Sequence, residues 1–108
     1  MPGVVPPIRI VACDDSPDFI ELLTRWLEDY DGIELAGTAE DERAAAQVVE
    51  REQPDVIVSD AFRPGGNPEY LRTLRRVSPG SCVHQGLRRT RPRRGHPPVS
   101  IRPWLTNR

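Results

Sequence analysis

Three carboxylates have the placement to handle a cation or a phosphoryl group. Asp14 and Asp15 sit side by side directly after the apolar run Ile8 to Cys13, and Asp60 directly follows Val56-Ile57-Val58-Ser59. If those two runs are neighbouring strands, the three side chains converge within a few ångström. Like charges that close repel and raise one another's pKa values. A hard divalent cation removes the conflict, and Mg²⁺ suits it: it prefers oxygen ligands, keeps several waters, and is typically held by one or two carboxylates plus phosphate oxygens. Beside such an ion a carboxylate can attack phosphorus, because the metal offsets charge on the transferring group.

The elements that must position these residues alternate along the chain. Ile8 to Cys13 is short, apolar and β-branched, a buried strand. Ser16 and Pro17 supply an N-cap and a first helical residue, since proline at that position loses no needed N–H. Phe19, Leu22, Leu23, Trp26, Leu27 and Tyr30 then form one helical stripe, a core-packing face, that ends at Asp31-Gly32. A second strand follows from Ile33 to Thr38. Asp41 to Glu52 reads as a helix with Ala45, Val48 and Val49 inward, broken by Gln53-Pro54-Asp55. Val56 to Asp60 is apolar on consecutive positions, as in a parallel strand covered on both faces. Pro64 to Pro68 is a loop, Glu69 to Val77 a short helix with Tyr70, Leu71, Leu74 and Val77 near one face, and Ser81-Cys82-Val83 can open a fourth strand. Alternation with short connections implies right-handed crossovers, a parallel sheet and an α/β fold whose ligands bind beyond the carboxyl ends of the strands.

Composition bounds the rest. The 108 residues allow one domain. All 16 acids lie between Asp14 and Glu69; with five arginines they give residues 1–69 a charge of −11, while residues 70–108 hold ten arginines and no acid. There is no lysine. Residues 84–108 hold seven Arg and four Pro, with apolar residues at no consistent period, and so read as a disordered basic tail. Cys13 and Cys82 do not make a disulfide framework and are expected to be small buried hydrophobes. His84 and His96 have no neighbours at zinc-ligand spacing. No secretion signal or membrane-spanning run is visible, which makes a cytoplasmic protein the expectation.

Ile8 to Asp15, then Pro54-Asp55-Val56-Ile57-Val58-Ser59-Asp60 with Pro64 four residues beyond, resembles the receiver domain of two-component response regulators over about residues 8–83. The resemblance implies a flavodoxin-like doubly wound parallel sheet, here incomplete, with three to four strands. It implies a phosphoacceptor module of a phosphorelay that takes its phosphoryl group from a sensor histidine kinase or a phosphotransfer protein. Carried over, Asp60 is the phospho-acceptor, Asp15 a direct Mg²⁺ ligand, Asp14 a ligand through water, and the Phe62 backbone carbonyl a further ligand. Gly32 to Ala39 resembles the subgroup whose receivers precede a helix-turn-helix domain. Such a module is a switch rather than an enzyme, at most a catalyst of its own phosphorylation.

The departures from that family define the alternatives. The family's fourth strand ends in Ser or Thr and its fifth in Lys; here Val83 leads into His84-Gln85-Gly86, Thr90 lies among arginines, and the fifth strand and last two helices are missing. Arg63 stands where the family often has Met. One alternative is a degenerate, phosphorylation-incompetent remnant acting as a protein-interaction piece. Another is a basic-tailed nucleic-acid binder, although no folded reader accompanies the tail and specific binding is not expected. The abrupt change after Val83 is also what an out-of-frame continuation of a GC-rich gene would produce. A short sheet would expose an edge, through which a homodimer could form. Two enzyme classes fit less well. A nucleotide-binding Rossmann site lacks its Gly-rich loop, and an aspartyl-nucleophile phosphatase would carry a second Asp where Phe62 stands.

Overall fold

The computed structural model describes residues 5–85. They build a four-stranded, wholly parallel sheet in the order β2-β1-β3-β4, from β1 (Ile8–Cys13), β2 (Ile33–Ala39), β3 (Val56–Ser59) and β4 (Cys82–Gln85). Three helices connect them: α1 (Pro17–Glu28), α2 (Glu42–Glu52) and α3 (Pro68–Val77). The expected doubly wound α/β architecture is present, and it matches the flavodoxin-like receiver fold. Among the described residues no helix is long and apolar enough to cross a membrane.

Local chemistry sets the helix boundaries. Ser16 Oγ accepts from Phe19 N–H at 3.2 Å, with Pro17 behind it at the first helical position. Asp41 caps α2 by accepting from Ala44 N–H at 2.7 Å, so that helix begins one residue later than the sequence pattern suggests. Asn67 caps α3, and Pro68, expected in the loop, is its first residue. Pattern alone misses such starts because a capping side chain and a fixed proline φ decide them.

Winding the chain in two directions from β1 divides the core. Ile10, Ala12, Val56 and Val58 face α1 and pack with Leu23 and Leu27; Trp26 and Tyr30 stack at the margin, 5.8 Å between ring centres. Val11, Cys13 and Ile57 face the other way and pack with Ala45 and Val49 of α2 and Tyr70 and Leu74 of α3. Gly37 lets α2 approach β2 closely: a Cβ there would lie 2.7 Å from Val48 Cγ1. β2 also slips register opposite Ile10 and Val11, with Ala36 as the extra residue.

Two expectations are corrected at β4. The strand runs on to Gln85 in register with Ser59, taking His84 and Gln85 out of the expected tail. Parallel pairing uses backbone groups, so polar side chains do not stop it. Cys82 is exposed rather than buried. It pairs with Val56 and so lies on the α1 face, on the edge strand farthest from β2, the strand against which α1 packs. Residues 86–108, the rest of the expected disordered tail, lie outside the described residues.

Candidate functional site

The two directions of winding part between β1 and β3, and a doubly wound sheet opens a crevice at the carboxyl ends of such strands. β1 and β3 are paired from Ile10–Val56 to Cys13–Ser59, which brings their following residues together. Asp60 N–H donates to the Cys13 carbonyl at 2.7 Å, and Asp14 N–H donates to the Ala39 carbonyl at 2.9 Å. The ladders thus extend one residue past each strand and fix the backbone of both aspartates. One carboxylate oxygen from each of Asp14, Asp15 and Asp60 lies within 4.8 Å of the others.

The three differ in environment. Asp15 is exposed, while Asp14 and Asp60 are buried. Burial pushes the Asp14 carboxyl up to about 6, with the Asp60 and Asp15 charges adding to the rise, although its Oδ1 accepts from Ser16 N–H at 2.8 Å. Asp60 Oδ1 is buried with no hydrogen-bond partner. A buried, orphaned carboxylate oxygen is costly unless something compensates it. A hard cation among these three oxygens would do so, and the donor set therefore fits Mg²⁺.

Side chains that the sequence pattern did not single out surround Asp60. Ser59 Oγ donates to the Asp60 carbonyl at 2.8 Å and lies 2.7 Å from the Tyr70 hydroxyl. Cys13 belongs to the same buried group; burial pushes its thiol up to about 12, so it is a packed hydrophobe and not a nucleophile. Phe62, two residues past Asp60, has φ +67° and sets its ring edge-on to Tyr70, 5.7 Å between centres. Arg63 does not reach for the carboxylates. It bonds Glu42 Oε1 at 2.8 Å, and Asn67 donates to the same oxygen at 3.0 Å, which ties the β3–α3 loop to the start of α2. No spacing rule links Glu42 to Arg63, so only the fold reveals that latch. Gln85 ends β4 with its Oε1 3.8 Å from where a Gly66 Cβ would be, and its Nε2 is buried without a partner.

No family model matches the chain. It is 37% identical over 77 residues to a protein-glutamate methylesterase/protein-glutamine glutaminase of Burkholderia thailandensis, covering 70% of this chain and 22% of that protein. In structure it resembles the response regulator domain of Thermotoga maritima CheB, with a TM-score of 0.64 and 25% identity over 73% of this chain and 59% of that one. It also resembles the receiver domain of the response regulator NarL from Mycobacterium tuberculosis, with a TM-score of 0.63 and 27% identity over 75% and 66%. The chain spans about a fifth of the length of the curated relatives it matches.

One expectation falls here. The chain was expected to be a switch and not an enzyme, but the relatives it matches are enzymes by name. That expectation came from residues 8–83, which correspond to the receiver part of those proteins and hold no sign of what the remaining four-fifths does. The fold, the sequence relatives and the structural neighbours converge on one module: the chain is similar to the receiver domains of response regulators.

Proposed function

We propose that Asp60 accepts the phosphoryl group, and that Asp14, Asp15, Asp60 and the Phe62 carbonyl hold Mg²⁺, Asp14 through water. The observation that carries this reading is the convergence of three aspartate oxygens within 4.8 Å at the switch point of the sheet. The donor is a phosphohistidine on a sensor kinase or phosphotransfer protein. An Asp60 carboxylate oxygen attacks phosphorus, the O–P bond forms, the N–P bond to imidazole breaks, and the imidazole leaves with its electron pair. Mg²⁺, when bound, offsets negative charge on the transferring group. Asp60 is pre-positioned for the attack by its backbone bond to β1 and by Ser59.

Likeness to the methylesterases extends the proposal: the module controls the output of a protein of that kind, in the cytoplasm. The same reading makes β4, the last strand among the described residues, the edge along which a second copy pairs. A phosphorylation-incompetent remnant is the second reading. It draws support from Gln85 at the end of β4 and from the absence of lysine anywhere in the chain.

Acetyl phosphate separates the two. Incubated with it, the chain gains one phosphoryl group by intact mass in the presence of Mg²⁺ and none with chelator or in Asp60→Asn. A chain that stays unmodified in Mg²⁺ is the remnant.

A further inference from the structure

Tyr70 touches the chain on both sides of Asp60. Its hydroxyl lies 2.7 Å from Ser59 Oγ, one residue before, and its ring meets the edge of Phe62, two residues after. Ser59 gives its single proton to the Asp60 carbonyl, so Tyr70 is the donor in the first contact. Tyr70 itself is 4% exposed, fixed in the core formed with α2 and the sheet.

Phe62 needs such a hold. Its φ of +67° is in the left-handed region, where a bulky side chain is a genuine outlier. Conformations of this kind persist only when the surroundings over-determine them. Partly buried in the same core, the Phe62 ring has Tyr70 as its aromatic contact.

We infer that Tyr70 is a positioning residue: through the Phe62 ring it holds the strained backbone at residue 62 in the conformation that presents the Phe62 carbonyl to the cation. This rests on the proposed place of that carbonyl among the Mg²⁺ ligands. Tyr70 touches no substrate and acts only through Phe62.

The test is Mg²⁺ affinity of the full chain, measured by calorimetric titration with magnesium chloride. Tyr70→Leu removes the aromatic support and weakens binding about tenfold, the size expected from releasing one such strained residue. Tyr70→Phe keeps the ring and remains close to the parent. A second pair leaves Tyr70 untouched. Phe62→Ala loses the ring contact and disfavours positive φ, so it also binds about tenfold more weakly, whereas Phe62→Gly loses the same contact but adopts that φ freely and binds more tightly than Phe62→Ala. Phe62→Gly likewise restores affinity to Tyr70→Leu, which a role confined to core packing would not produce. Parent-like affinity in Tyr70→Leu, or equal affinities for Phe62→Ala and Phe62→Gly, overturns the inference while leaving the metal site standing. A parent chain whose Mg²⁺ binding is absent, or survives in Asp15→Asn, overturns the metal site and the inference with it.

Discussion

The fold raises the affinity of Asp14 for protons, to about 6 from an ordinary 3.8, chiefly by burial. Between those values the folded chain holds a proton that the unfolded chain releases. The sign follows: this contribution favours folding at low pH, declines as pH rises from about 4, and is fully lost above about 6. The shift corresponds to an order of 2–3 kcal/mol. Glu52 and Glu69 act oppositely, since arginines hold their carboxyl groups below the ordinary value. A comparison with Asp14→Asn isolates the Asp14 part. In metal-free buffer, the Asp14→Asn melting temperature exceeds that of the parent at pH 7.5, and the gap closes by pH 4. A gap independent of pH would show that the asparagine acts through packing. Mg²⁺ narrows the same gap at pH 7.5, because a ligand of the folded state stabilises it by mass action. The aspartates themselves were legible from two strand ends and their spacing. Tyr70 was visible only as one apolar position on a helix, because a hydroxyl bond to Ser59 leaves no trace in periodicity.

The elements follow the sequence where burial is two-sided or periodic. β1 is apolar from Ile10 to Cys13, β3 from Val56 to Val58, and α1 carries an unbroken stripe, so their patterns have one solution. β2 and β4 are less determined. Ala36 slips β2 by one residue, and β4 continues through His84 and Gln85, since pairing to a preformed strand depends on backbone groups more than on side chains. Gly37 shows how tightly one contact is set. Gly37→Ala places a methyl against Val48 and forces α2 outward, at a cost of about 1–3 kcal/mol. The melting temperature then falls by roughly 4–8 °C per kcal/mol for a domain of this size. Val48→Ala in the same chain opens room for the methyl and recovers part of the loss; a double variant no better than the sum of its singles would place the strain elsewhere.

For the molecule as a whole, the two faces of the sheet are covered unequally among the described residues, by α1 on one side and by α2 and α3 on the other. The two cysteines report that inequality. Cys82 is exposed, whereas Cys13 is 1% exposed with its thiol pushed up to about 12. A disulfide reagent at pH 8 therefore modifies Cys82 in the native chain within seconds to minutes, and Cys13 only at the rate of unfolding. Equal rates for both would place Cys13 near the surface. The chain's charge division, −11 against +10, was plain from the sequence. That the relatives are enzymes was not, because their additional length lies beyond anything these 108 residues encode.

β1 is hydrogen-bonded on both sides, by β2 and by β3. It is also the first of the described strands to be made, and its second neighbour is complete only when residue 59 has been added. At 5–20 residues per second, that leaves an Ile- and Val-rich segment with an open flank for roughly 2–9 seconds of synthesis. The segment is most open to chaperones and to other nascent chains during that lag, which closes only as β3 and Asp60 join the sheet.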